Sequence, residues 1–502
     1  MKPPIAPARP FEPGQYRRFV RGRIEVRVAA DAAFEDIPTG RGVRFGANRA
    51  ATRIDGGPLD AVLRHFTTTM RVTRTYGSAK NCGQPDREHL NWDDLEHRLG
   101  LSRSLRIDVD PDADVLGLVD ALRERIGVEQ AAPAYLCQTP FSLRHPTASA
   151  SPSAPGDPAA FDMIGAGRAL AVEPGDPTVI VAIIDTGVTP SHPELKDILR
   201  PGADMVELVE HLLSRGLRFT GRQRTRERDV TDDLGHGTGV AGIIGARGLS
   251  VPRGVAGACS ILPVRALVRV HKVGEMRPVA IGVIPDIDAA VKLAVDLGAK
   301  VLNLSFGTPH SALRLRDPIP HKAVVDYALQ RGCIPIAASG NDGNWTTYYP
   351  AALPGVIAVG SVDLAGDPST FSTRGEHVAV CAPGERIPCI AVDGYAENTG
   401  TSFAAPFVAA AAAMLTANAH RQAVPLRSEQ VKDLLVRSAA PFSGHIDQRG
   451  SGAGILDLPA ALDALRDLIR GPPEPRRSHP FDPRTSLGTP SRTSQSSFSL
   501  SH

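Results

Sequence analysis

The segment Gly400-Thr401-Ser402-Phe403-Ala404-Ala405-Pro406, running straight into nine apolar residues at 407–415, constrains the fold more than any other stretch. A helix that is apolar on every side must be buried, and its alanines let neighbouring backbone approach closely, so it belongs beneath a sheet in a layered domain. At 13 residues, 403–415 is too short to span a bilayer. Pro406 is tolerable only near a helix start, which puts Ser402 in the first turn. A hydroxyl there feels the positive end of the helix dipole, and the serine's own N–H points outward as a spare donor. Such a serine is either a nucleophile or an ordinary cap.

Two upstream segments hold the partners a nucleophile needs. Residues 178–184 form a β-rich, almost wholly apolar run, as in a strand buried on both faces, ending abruptly at Asp185-Thr186-Gly187. An acid at the carboxyl end of such a strand sits where open α/β sheets place their sites. In Gly235-His236-Gly237-Thr238-Gly239, glycines flank a histidine at the opening of a helix of small residues. A lone Asp or His is more often structural. Asp, His and Ser, each in a glycine-rich setting at the end of an element, favour a common site.

With these segments the chain resembles the subtilisin-like serine proteases, the subtilases. The resemblance rests on Asp185-Thr186-Gly187-Val188, Ser191-His192-Pro193-Glu194-Leu195, Gly235-His236-Gly237-Thr238, Ser305-Phe306-Gly307, and residues 337–343 and 400–406. It runs from about residue 160 to 465, and the order Asp, His, Ser is that of subtilisin. It implies an α/β fold, a doubly wound, mainly parallel sheet with helices on both faces. It also implies a serine endopeptidase in which Ser402 attacks the carbonyl, His236 moves the proton and Asp185 holds the imidazole. Asn341, in a sharp turn after the buried strand expected at 334–338, is the candidate oxyanion donor beside the Ser402 N–H; a turn-forming asparagine is the bland alternative. In the resembling family Ser305, Phe306 and Gly307 pair with an extended peptide and wall the primary pocket, with Ala338, Ser339 and Gly340 opposite. Apolar or aromatic side chains before the cleaved bond are expected, or a basic one if Asp342 governs. The stretch from Asn341 to Tyr349-Pro350 is shorter than in secreted bacterial subtilisins, which bears on the depth of that pocket.

The first 140 residues read as a separate unit. Strand-like 23–28, 70–76, 105–109 and 128–136 combine with helix-like 59–68 and 115–126, and a short extra helix fits 93–100. This β-α-β-β-α-β order resembles the ferredoxin-like propeptide of subtilases, a folding chaperone and inhibitor; a recognition or sensor domain is the rival. The expected organisation is a small α+β domain at 1–140, a linker at 141–160, a catalytic domain at 161–470 and a disordered tail at 471–502. Cleavage is expected in or just before the Ser-, Ala- and Pro-rich 147–158. Six arginines at 214–228 face a single Glu227, as a solvated loop, an activation cleavage site or a patch for an acidic partner.

A formal charge of +2 predicts neither a nucleic-acid nor a membrane partner, leaving a protein or peptide substrate and the chain's own N-terminal domain. Residues 1–19 lack the apolar core of a secretory signal, so a cytoplasmic protein is expected. Only 8 of the 56 basic residues are lysine, which suggests a GC-rich bacterial genome. The six cysteines lack metal-ligand spacing and are expected as buried thiols, with Cys381 and Cys389 the pair close enough to bond. No cofactor or metal is expected. Residues 247–253 lack the asparagine-rich calcium loop of many secreted relatives, and Glu194 alone falls far short of the roughly six to eight oxygens calcium takes, though weaker sites stay open. Gly239 stands where many relatives carry a second histidine, a change that leaves Asp185, His236 and Ser402 intact. The alternative from another class is a catalytically silent binding or scaffold protein on a protease fold; loss of a site residue would favour it, yet Asp185, His236, Asn341 and Ser402 are all present.

Overall fold

The computed structural model describes residues 18–30, 37–139, 157–214, 216–224, 226–274, 277–444 and 446–470. The expected cleavage region at 147–158, apart from its last two residues, and the tail at 471–502 lie outside them. The run read as a doubly buried strand is Ile180–Asp185, near the middle of a seven-stranded sheet. Across the sheet the order is Val378–Pro383, Ile357–Val362, Ile334–Ala338, Val301–Leu304, Ile180–Asp185, Ser260–Arg265 and Ala203–Asp204, with every neighbouring pair parallel. Alternate residues of one strand serve opposite faces. Val181 and Ile183 join the core beneath the helices His236–Gly245 and Thr401–Arg421, whereas Ala182 and Ile184 join the one beneath Ile284–Asp296 and Lys322–Gln330. Helices on both faces of a parallel sheet give the doubly wound α/β arrangement.

Thr401–Arg421 is long and apolar enough to cross a membrane by composition alone, but 89% of its most apolar window is buried inside the fold. Pro406 lies inside this helix and has no N–H to give to the Ser402 carbonyl one turn back. The Ser305 hydroxyl donates to that carbonyl instead, at 3.0 Å. The break in the helix ladder is thereby used to tie the first turn to the end of a central strand.

Residues 18–139 carry a core of their own. Met70–Arg74, Ser104–Val109, Phe19–Val28 and Val128–Gln138 form antiparallel neighbours in that order, under the helices Pro58–Phe66 and Val115–Arg123. Ile24, Val26, Leu105 and Ile107 meet Leu63, Leu118 and Leu122 on that face. The short helix Asp94–Arg98 is also present, started by a capping box between Asp93 and Glu96. The other face of the sheet carries Arg23, Glu25, Arg106 and Asp108. It is covered by the α/β unit, where Arg106 pairs with Glu207 at 2.6 Å and Asp286 at 2.8 Å.

The last strand of this unit, Val128–Gln138, pairs antiparallel with Pro278–Val283, and the sheet continues through Val268–Lys272 to Leu217–Phe219. One antiparallel sheet of seven strands therefore joins the two units. The arginine-rich stretch is more than a solvated loop, because it supplies Leu217–Phe219 to this sheet. Its Arg224 donates to Asp233 and the Thr231 carbonyl, and its Glu227 pairs with Arg41. All six cysteines are free thiols, Cys381 and Cys389 included, and burial pushes both of these up to about 12.

Candidate active site

Asp185 is the last residue of its strand and fully buried, and Thr186 N–H donates to its Oδ1 at 2.7 Å. His236 is the first residue of its helix, and its Nδ1 lies 2.8 Å and 3.0 Å from the two Asp185 oxygens. The approach is close enough that a Cβ on Gly237 would sit 2.2 Å from the Gly187 carbonyl oxygen, so the flanking glycine is sterically required. Asp232, which the sequence motifs did not single out, caps this helix. Its carboxylate accepts from the N–H groups of Leu234, Gly235 and Thr238 and from the Thr238 hydroxyl. An acidic residue four positions ahead of a helix start is the signal that was available for it. Burial opposes charge on His236, but the Asp185 carboxylate outweighs it and holds the pKa above the ordinary imidazole value.

Ser402 is the second residue of the core helix, 1% exposed, and its Oγ lies 3.3 Å from the Ser305 carbonyl oxygen. The next residue, Phe403, sets its ring 5.2 Å from the His236 ring, so the two helix N-termini meet. Asn341 follows the strand Ile334–Ala338 and accepts from Thr401 through both N–H, at 2.9 Å, and hydroxyl, at 2.8 Å. Both bonds fall on Oδ1, which turns Nδ2 toward Gly400, whose Cβ position would be 2.9 Å from it. The amide nitrogen thus faces the turn that leads into Ser402.

Of the residues expected to bind substrate, Ser305 is held between the Asn303 amide, at 2.9 Å, and the Ser402 carbonyl. Phe306 is buried, its ring centroid 5.7 Å from that of His321 and the two planes tilted by 59°. Gly307 exchanges two backbone hydrogen bonds with Gln138, of 2.9 Å and 3.3 Å. Across from them, Ala338 ends its strand, Ser339 N–H donates to Val359, and Gly340, at φ 117°, donates to Thr401 Oγ1 at 3.3 Å. Sequence reasoning missed His321. Burial opposes its charge, but the Asp288 carboxylate outweighs that and raises its pKa to about 10.

Glu194 is occupied otherwise than as a metal ligand. Its carboxylate accepts from the N–H groups of Gly248, Leu249 and Ser250 at 2.7 to 3.1 Å, so the 247–253 loop closes on an anion. Among the described residues no three His, Cys, Asp or Glu side chains gather into a metal-binding group.

Comparison with known proteins shows the family. The subtilase family model matches residues 176–456. The chain is 35% identical over 260 residues to the thermophilic serine proteinase of Bacillus sp. (strain AK1), covering 50% of this chain and 56% of that protein. It is 32% identical over 279 residues to the subtilisin of Bacillus pumilus, covering 55% of this chain and 88% of the relative. Among solved structures, the prenylagaramide maturation protease PagA aligns with a TM-score of 0.48 and 26% identity, covering 60% of this chain and 98% of that one. The family match spans more than half of the chain, and the protein belongs to the subtilase family of serine endopeptidases.

Proposed function

We propose that this protein hydrolyses peptide bonds through an acyl-enzyme formed on Ser402. His236 takes the serine proton and later gives it to the leaving amine, while Asp185 fixes the imidazole tautomer and stabilises the imidazolium. Asn341 Nδ2 and the Ser402 N–H stabilise the oxyanion. The observation that carries this reading is the buried His236–Asp185 pair at one helix N-terminus, packed through Phe403 against the N-terminus that bears Ser402. A fluorophosphonate probe should label Ser402 and not a Ser402→Ala variant; a labelled variant, or an unlabelled wild type after limited proteolysis, would remove the assignment.

Residues 18–139 act in this reading as a restraint. The end of Val128–Gln138 lies between Pro278–Val283 and Gly307, with Thr139 N–H donating to Ala280 at 3.2 Å, as an extended peptide added to two edges would. Covalent linkage keeps such a strand at an effective concentration of about millimolar, so weak docking suffices to block the groove. Held this way, the enzyme would be tolerated in the cytoplasm, the location proposed for it. Purified wild type should cleave itself near residues 137–160, Ser402→Ala should stay full length, and residues 1–140 added in trans should inhibit the processed enzyme. Full activity of the uncut chain, with no effect of the added domain, would favour a sensor role instead.

A further inference from the structure

We infer that Tyr348 fills the primary specificity pocket, so that the residue contributing the scissile carbonyl must be small. The inference rests on the protease reading above and deepens it. The docked strand supplies the register: Gln138 lies opposite Gly307 in an antiparallel bridge. A peptide continuing that bridge puts the residue two positions further on opposite Ser305, because antiparallel partners move in opposite directions along their chains. The Ser305 carbonyl is 3.3 Å from Ser402 Oγ, so the residue opposite Ser305 is the one whose carbonyl the serine meets. Its side chain falls between the segment 305–307 and the segment 338–340.

That space holds an aromatic ring. A Cβ on Gly307 would sit 2.8 Å from Tyr348 Cδ1, and a Cβ on Gly340 would sit 2.8 Å from Tyr348 Cδ2. The two glycines therefore face opposite edges of one ring, and a side chain at either would collide with it. Tyr348 is 7% exposed, and its hydroxyl donates to Asp342 at 2.9 Å. Its backbone is fixed by the two-residue ladder of Thr308–Pro309 with Tyr348–Tyr349. Burial and the Asp342 carboxylate both hold the phenol neutral, raising its pKa well above the ordinary value. Asp342 is thus engaged by the tyrosine, which removes it as a determinant for basic side chains. The short stretch between Asn341 and Tyr349 delivers the ring to this place, and the apolar or aromatic preference read from the sequence gives way to glycine, alanine or serine.

The test is the cleavage profile of the full chain, before and after limited proteolysis, on peptides differing only at the residue before the cleaved bond, with fluorophosphonate labelling run alongside. Wild type should label at Ser402 and favour Gly, Ala and Ser over Phe and Leu by about 10²-fold or more in kcat/KM, since a filled pocket rejects added volume. Tyr348→Ala and Tyr348→Gly should gain cleavage after Leu and Phe in that order of opening. Labelled wild type that cleaves as readily after Phe or Leu overturns the filled pocket while leaving the protease reading intact. Absence of both labelling and cleavage overturns the protease reading and the pocket with it. Should either variant fail to fold, the wild-type profile decides alone.

Discussion

Around the parallel sheet, the helix Thr401–Arg421 meets its neighbours through alanines, Phe403, Phe407 and Met414, all in one apolar cluster. Across the joint with residues 18–139, apolar contacts of Tyr76, Leu101, Val20 and Ala134 are joined by buried ion pairs: Arg106 with Glu207 and Asp286, Lys292 with Glu96 at 2.6 Å, Arg123 with Asp317 at 2.6 Å, Arg44 with Asp204. Apolar burial stabilises by about 25 cal/mol per Å² whatever the partner, so the first region holds in any compact packing. Buried ion pairs lose in desolvation much of what they gain in attraction, yet removing one partner is heavily penalised. The α/β core is therefore held by apolar burial, whereas the joint adds ion pairs that penalise any misaligned docking. The restraint proposed for residues 18–139, which would have to dock in one register and later come away, would be served by the second chemistry.

The largest expected effect separates turnover from both regions. Ser402→Ala should lower kcat by about 10⁶-fold, a magnitude taken from subtilisin itself, with little change in thermal unfolding of either unit, because what is lost is a long hydrogen bond of 3.3 Å to the Ser305 carbonyl. Calorimetry and single-turnover assays check the two halves of that statement; residual turnover near wild type would break it. Next, Asn341→Ala should cost about 10²- to 10³-fold in kcat, again a subtilisin figure, with little change in KM, since the oxyanion exists only past the ground state. A change confined to KM would make Asn341 a shaper of the turn.

The third prediction bears on the joint. Arg106→Met leaves Glu207 and Asp286 buried without their shared guanidinium, at a cost of about 3 to 5 kcal/mol. Residues 1–140 carrying it should inhibit the processed enzyme in trans at least about 10²-fold, and up to about 10³-fold, less well. Joint replacement of Arg106, Glu207 and Asp286 by Met and Leu should recover much of the affinity. Equal inhibition by the single variant would mean that the docked strand alone holds the two units together.

The same contrast explains what could be read from the sequence. Hydrophobic period located the main strands and helices of residues 18–139, and in the α/β unit the strands Ile180–Asp185 and Ile334–Ala338, to within a few residues, because each buries an apolar face that repeats every two or 3.6 positions. Asp185, His236, Asn341 and Ser402 stood out because each sits in a glycine-rich turn where an element ends. The charged face of Phe19–Val28 and Ser104–Val109 was legible as polar but not as buried. Alternation shows that Arg23, Glu25, Arg106 and Asp108 avoid the apolar core; it does not distinguish water from a second charged surface as their surroundings. Tyr348 was invisible for another reason. Its role depends on two glycines 41 and 8 positions away in the chain, which only the fold brings to either side of one ring.

The smallest effect expected is a pH dependence of the joint. Glu25 faces the α/β unit across a cavity it shares with Arg27, Tyr76, Asp288 and His321, and burial together with Asp288 raises its carboxyl to about 7, against the lowering influence of Arg27 and Arg106. His321, held near 10, stays charged throughout the range concerned. Since Asp288 belongs to the other unit, undocking returns Glu25 toward its ordinary value. A raised acid favours the docked state fully below that ordinary value, and the contribution is lost as pH rises through the docked pKa. Affinity of residues 1–140 for the processed domain should therefore weaken from pH 5 to pH 8, by about tenfold if half of the shift comes from docking. The measurement belongs on the Ser402→Ala form by direct binding, because the raised pKa of His236 makes activity itself rise over the same interval. Glu25→Gln should flatten the profile and tighten binding at pH 8, where the charge is no longer buried. Binding that strengthens with pH in wild type would show that Arg27 and Arg106 outweigh burial, making Glu25 one more ion-pair partner of the joint and not its weak point.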